Sequence, residues 1–137
     1  MDSRPVIVIT GATNGLGKLA ALDLARRGAH LGIVARSRPK VDELRTEIDQ
    51  VAPGTPVDSF IADLTSMNDV RRAGQQIDAR YERIDVLVNN AGIHAISQRT
   101  TSDGFAEMIA VNYLAPWVLT TTLLDKLVAS APARIVT

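Results

Sequence analysis

The chain holds 137 residues, with 15 Lys and Arg against 15 Asp and Glu and no Cys, a length suited to one domain, residues 1–137, with its own core. The balanced charge lacks the basic excess of a nucleic-acid binder. With no Cys and only His30 and His94, far apart in sequence, there is no basis for a zinc or iron–sulfur cage or a disulfide scaffold. No apolar run approaches the roughly 20 residues of a membrane span and no signal peptide opens the chain, so the expectation is a soluble, cytoplasmic protein.

Short apolar, β-branched runs alternate with longer stretches of helical period. Val6 to Ile9, bounded by Pro5 and Gly11, reads as a strand buried on both faces. The stretch from Leu16 to Arg27 reads as a buried helix whose core face includes Leu16, Leu19, Ala20, Leu22 and Leu24, with Gly28 as its C-terminal cap. Leu31 to Ala35 is a second strand. Pro39 opens a helix carrying Val41, Leu44 and Ile48 on one face, which Pro53-Gly54 terminates.

Val57 to Ile61 is the third strand. Thr65 to Asp69 supply cap candidates for a helix reaching about Tyr81. Val86 to Val88 is the fourth strand and runs into Asn89-Asn90-Ala91-Gly92. A loop, a long helix from about Ser102 to Leu127 and a last strand from Arg134 to Thr137 complete the pattern. Strands separated by crossover helices predict a parallel α/β sheet.

Between the first strand and first helix lies Thr10-Gly11-Ala12-Thr13-Asn14-Gly15-Leu16-Gly17. Gly11 permits a tight turn, Gly15 lets a ligand approach the backbone, and Gly17 allows the helix to pack closely. The N–H groups and dipole at that helix start favour a pyrophosphate. An ordinary glycine turn is the competing reading. The strand–turn–helix context favours a nucleotide, with Gly11, Thr13, Asn14, Gly15, Leu16 and Gly17 as its contacts.

The spacing T-G-x-x-x-G-x-G, followed by Asp63-Leu64, Asn89-Asn90-Ala91-Gly92 and Asn112 in order, resembles the short-chain dehydrogenase/reductase family along the whole chain, and its retinol-dehydrogenase-like members in particular. The resemblance implies a Rossmann-type doubly wound parallel sheet of strand order 3-2-1-4-5. The dinucleotide would bind at the switch point between strands 1 and 4. It also implies that Asp63 accepts from the adenine amino group while Leu64 lines that pocket. Asn90, Ala91 and Gly92 would lie along the cofactor. Helix capping by Asp63 with Thr65, and a purely structural turn at Asn90 to Gly92, compete with those roles.

An acidic residue about 20 positions beyond the glycine turn would select NAD. This chain has Arg36-Ser37-Arg38 at the end of the second strand. A guanidinium there can clamp a 2′-phosphate and the Ser37 hydroxyl can add a donor, which predicts NADP(H). The alternative is two solvated arginines ahead of a helix. A nucleotide-sugar epimerase is disfavoured by the glycine spacing and a methyltransferase by Arg36.

Asn112 stands mid-helix, and Pro116, four residues on, has no N–H for its carbonyl. By resemblance, that carbonyl anchors a water in the proton relay of a catalytic lysine, the catalytic role expected of Asn112. The family's serine and Tyr-x-x-x-Lys pair fall beyond Thr137, and neither Tyr81 nor Tyr113 has Lys four residues on.

The expectation is therefore the cofactor half of a longer enzyme, cut in its fifth strand with later strands missing, and inactive alone. The whole protein would be an NADP(H)-dependent oxidoreductase oxidising a hydroxyl or reducing a carbonyl of a small, lipophilic alcohol, aldehyde or ketone. A non-catalytic NADP(H)-binding module is the alternative. The helix near Asn112 to Leu127 is expected to form a homodimer or homotetramer, with Trp117, Leu123 and Leu124 as contacts; core packing of the same residues competes.

Overall fold

The computed structural model describes residues 3–137. Its elements run β1 (Val6–Thr10), α1 (Gly15–Arg26), β2 (His30–Ala35), α2 (Arg38–Val51), β3 (Val57–Ile61), α3 (Met67–Arg80) and β4 (Val86–Val88). Then follow α4 (Glu107–Ile109), a π-helical turn (Ala110–Leu114), α5 (Ala115–Thr122), α6 (Leu124–Ala129) and β5 (Arg134–Val136). The five strands form one sheet in the order β3-β2-β1-β4-β5. Every pairing is parallel, with Val8 opposite Gly32 on one side and Leu87 on the other. This is the Rossmann-type order implied by the motifs.

Side chains alternate across a strand, so β1 feeds two cores. Val6 and Val8 join Val70, Ala73, Ile77, Leu119, Leu123 and Leu127 on the face covered by α3, α5 and α6. Ile7 and Ile9 join Ala21, Ala25, Val41, Leu44 and Ile48 on the face covered by α1 and α2. The helices of α2 and α3 are capped as their sequences require. Ser37 Oγ accepts from Lys40 N at 3.4 Å, and Ser66 Oγ from Asp69 N at 3.3 Å.

Three details differ from the sequence reading. In α1 the buried positions are the small residues Gly17, Ala21 and Ala25. Leu16 and Leu19 are instead 77% and 64% exposed, because a helix seated this close to the sheet has room only for side chains of one carbon or none. Residues 102–106 are not helical. Thr100 bridges Ala106 antiparallel and Thr101 N donates to Phe105 O at 2.7 Å, so the helix starts only at Glu107. Leu123 is fully buried among the α3-side residues, which removes it from any subunit contact, whereas Trp117 and Leu124 are exposed.

A polar knot closes the end of the sheet opposite the strand C-termini. Asp58 Oδ2 accepts from Tyr81 OH at 2.7 Å and pairs with His30 Nε2 at 2.7 Å and Arg80 at 3.3 Å. Burial raises the Asp58 pKa, but the hydrogen bonds from Tyr81 and His30 and the Arg80 charge together hold it below its ordinary value. The Tyr81 hydroxyl, desolvated and beside that carboxylate, is pushed far above its own.

Candidate nucleotide-binding cleft

Between β1 and β4 the strand order reverses, and the loops leaving the strand C-termini diverge around a cleft of about 400 Å³. Gly11, Thr13, Asn14, Gly15, Leu16 and Gly17 form its floor, and Arg36, Asp63, Leu64, Asn90, Ala91 and Gly92 its rim. All the sequence-predicted cofactor contacts therefore converge there except Ser37, whose hydroxyl caps α2. Asn112 does not line the cleft.

The floor is held by contacts that require glycine. Gly11 has φ +71°, and a Cβ on it would stand 2.8 Å from Ala91 Cα. A Cβ on Gly17 would overlap the Gly11 carbonyl oxygen and Asn90 Nδ2, so α1 and the turn leaving β1 touch backbone to backbone. Gly15 differs: nothing lies within 4 Å of its Cβ position, leaving the start of α1 open. Asn14 adopts extended geometry as N-cap and makes no side-chain cap, so its side chain does not cover the first N–H groups of α1.

Thr10 joins the two central strands above that floor. Its hydroxyl oxygen accepts from Asn90 N at 3.1 Å and Ala91 N at 3.0 Å, and Asn90 Nδ2 donates to Gly11 O at 3.1 Å. Thr10 stood in the glycine motif but was given no role by sequence. Its function follows only when β1 and β4 lie side by side.

At the end of β2, Arg36 is exposed to the cleft, and among the described residues no hydrogen bond or ion pair holds its guanidinium. At the end of β3, Asp63 Oδ1 accepts from Thr65 N at 2.9 Å and Thr65 Oγ1 at 2.7 Å. The helix cap itself is Ser66. Asp63 N donates to Asp69 Oδ2 at 3.0 Å. That bond, with the lesser help of Arg72, keeps the Asp69 carboxyl below its ordinary pKa against the opposing effect of burial. Asp63 is thus oriented from both sides while its Oδ2 has no protein partner among the described residues.

Asn112 works beside the cleft. Its Oδ1 accepts from Ile93 N at 2.8 Å and its Nδ2 donates to Ile93 O at 2.8 Å, a reciprocal pair that pins the chain just after Gly92. Pro116 lies within reach of the π-helical turn, where Ala115 N donates to Ala110 O, five residues back. Lining residues not anticipated from sequence are Val34, Ala35, Ala62, Thr65, Ile93, Glu107 and Val111. Glu107 and Val111, four apart, carry a helical signal that could have placed them on one face.

The comparisons agree with this architecture. The sequence pattern of the short chain dehydrogenase family matches residues 5–137. Human retinol dehydrogenase 13 is 39% identical over 130 residues, covering 95% of this chain and 39% of that protein. A short-chain dehydrogenase from Sphingobium yanoikuyae, solved with NADPH, superposes with a TM-score of 0.81 at 32% identity, over 96% of this chain and 51% of that one. An alcohol dehydrogenase from the archaeon Thermococcus sibiricus, solved with 5-hydroxy-NADP, gives 0.80 at 32% identity, over 93% and 55%. The chain thus spans between 39% and 55% of the length of these relatives. With its fingerprint, sheet order and cleft all of this kind, the chain belongs to the short chain dehydrogenase family and resembles its retinol dehydrogenases.

Proposed function

We propose that this chain is the NADP(H)-binding part of an oxidoreductase that interconverts a hydroxyl and a carbonyl on a lipophilic alcohol, aldehyde or ketone. The observation that carries the cofactor choice is Arg36. An unpaired guanidinium stands at the end of β2, where a carboxylate would otherwise select a ribose 2′-OH. The open start of α1 suits the pyrophosphate, and the free Asp63 Oδ2 suits the adenine amino group. The NADPH and 5-hydroxy-NADP complexes of the two solved relatives support the same reading, and the resemblance to retinol dehydrogenase 13 supports a lipophilic substrate.

The nicotinamide supplies or takes up the hydride; the protein contributes binding, orientation and proton handling. Gly11, Thr13, Asn14, Gly15, Leu16 and Gly17 hold the phosphates. Ser37, whose hydroxyl caps α2 outside the cleft lining, leaves the 2′-phosphate to Arg36, and Asn90, Ala91 and Gly92 run along the ribose. Asn112 has two parts in this scheme. Its side chain fixes the loop after Gly92, and its carbonyl, which Pro116 cannot bond, holds a relay water. By the same resemblance, reduction or oxidation uses a serine and a Tyr-x-x-x-Lys pair, and no Tyr-x-x-x-Lys occurs in these 137 residues.

Among the described residues no helix is long and apolar enough to cross a membrane. The exposed face of Tyr113, Trp117 and Leu124 accords with assembly into a homodimer or homotetramer. Titration with NADPH and NADH tests the reading. Wild type should prefer NADPH, and Arg36→Asp should weaken NADPH at least about tenfold while sparing NADH. Equal NADPH affinity in variant and wild type would remove the argument.

A further inference from the structure

One ionisable side chain in the cleft has no part in the scheme above. Glu107 lines the cleft, and among the described residues no hydrogen bond or ion pair reaches its carboxylate. Its position along the cleft follows from two links. Met67 N, at the start of α3, donates to Asp103 Oδ2 at 2.9 Å, which ties the turn ahead of α4 to the β3–α3 connection. Val111, one helical turn beyond Glu107, borders a small cavity that reaches from Leu64 to Thr10 and Ala91, and Glu107 lines the cleft together with Asp63 and Leu64. Glu107 therefore stands at the Asp63–Leu64 end of the cleft.

We infer that Glu107 reads the base of the bound dinucleotide, favouring a 6-aminopurine over a 6-oxopurine; this rests on the nucleotide reading above. The hydrogen-bonding edges of adenine carry acceptors at N1, N3 and N7, and its only strong donor is the exocyclic amino group. That group has two N–H bonds. Asp63 Oδ2 can take one, and a second carboxylate at the same end is complementary to the other, because an ionised carboxylate only accepts. Hypoxanthine replaces the amino group with a carbonyl. Its N1–H can still satisfy Asp63, but its O6 is then set against a negative oxygen of Glu107.

A merely structural role for Glu107 predicts something else. As the first residue of α4 its charge offsets the helix dipole, and removing it would lower stability without altering base preference. The experiment compares binding of NADPH with that of reduced nicotinamide hypoxanthine dinucleotide phosphate to the full chain, by quenching of protein fluorescence, with thermal melts alongside. Wild type should favour NADPH by about tenfold or more, the scale of one charge-assisted hydrogen bond. Glu107→Gln, whose amide can donate to O6, and Glu107→Met, which has no charge, should both reduce the ratio to about threefold or less. An unchanged ratio in the variants, with NADPH still bound, overturns the role of Glu107 alone. A chain that binds neither nucleotide overturns the nucleotide reading, and this inference with it.

Discussion

Thr10 offers the sharpest test of how the cleft is built. Valine has its shape but no hydroxyl, so Thr10→Val removes the acceptor shared by Asn90 N and Ala91 N without changing volume. Thr10 is 4% exposed, whereas Asn90 is exposed and Ala91 half-buried, so water can repair part of the loss at Asn90 and less at Ala91. A net hydrogen bond contributes about 1 kcal/mol and an orphaned buried amide costs about 1–3 kcal/mol, which places the sum near 2–3 kcal/mol. With a urea m-value of about 1.5 kcal/mol/M for a chain of this size, the midpoint should fall by about 1.3–2 M. Thr10→Ser keeps the acceptor and loses one methyl, so it should cost only about 0.8 kcal/mol. Urea titrations followed by circular dichroism measure both. The reasoning fails if Thr10→Val matches wild type, or if Thr10→Ser is as unstable as Thr10→Val.

Other substitutions probe neighbouring parts. Gly17→Ala gains up to about 1 kcal/mol of helix propensity but places a methyl on the Gly11 carbonyl; it should be net destabilising by about 1–3 kcal/mol in the same assay, and a neutral result would show that α1 can move away. Asn112→Ala should speed hydrogen exchange at the Ile93 amide about tenfold or more, while the amides of β1 keep their protection within the modest global loss. The polar knot predicts stability loss at both pH extremes. Because the Asp58 carboxyl is held below its ordinary 3.8, its contribution is complete above that pH and disappears as pH falls through the folded value. Because the Tyr81 hydroxyl is raised above 10.0, its contribution is complete below pH 10 and declines above it. Tyr81→Phe should flatten the alkaline limb of a stability–pH profile, and an unchanged limb would refute the assignment.

Most element limits were legible because the strands are short apolar runs and Pro39 and Thr65 to Asp69 mark the starts of α2 and α3; the sheet order was legible only through the motifs' resemblance to a family. The cleft residues were legible because a phosphate-binding turn demands glycine at fixed positions, whatever surrounds it. Periodicity misled where packing is tight. It counted Leu16 and Leu19 toward the core of α1, but apolar character does not reveal how close a helix sits, and Gly17, Ala21 and Ala25 were the better sign. The overlong helix ignored Asp103-Gly104, a turn pair whose glycine takes φ +87°. Thr10 lay beyond any local signal, since its hydroxyl acquires its role from Asn90 and Ala91, distant in sequence.

The last helical stretch shows how spacing, not composition, shapes this side of the cleft. Its buried residues Val111, Ala115, Leu119, Leu123 and Leu127 recur every four positions. In a regular helix of 3.6 residues per turn that spacing drifts about 40° at each step, so one straight helix would carry Leu127 well round from Val111. Two interruptions counter the drift. The π-helical turn at Ala110–Leu114 widens one turn ahead of Pro116, which cannot donate to Asn112 O, and Leu123 leaves helical geometry with ψ 2° between α5 and α6. Each resets the face, so Leu119, Leu123 and Leu127 remain against the sheet and α3. The wide turn also lets adjacent residues serve different surfaces: Val111 borders the cleft while Asn112 grips Ile93. Pro116, which shares a small cavity with Leu64, Ala91 and Val111, is therefore part of how this wall of the cleft is built.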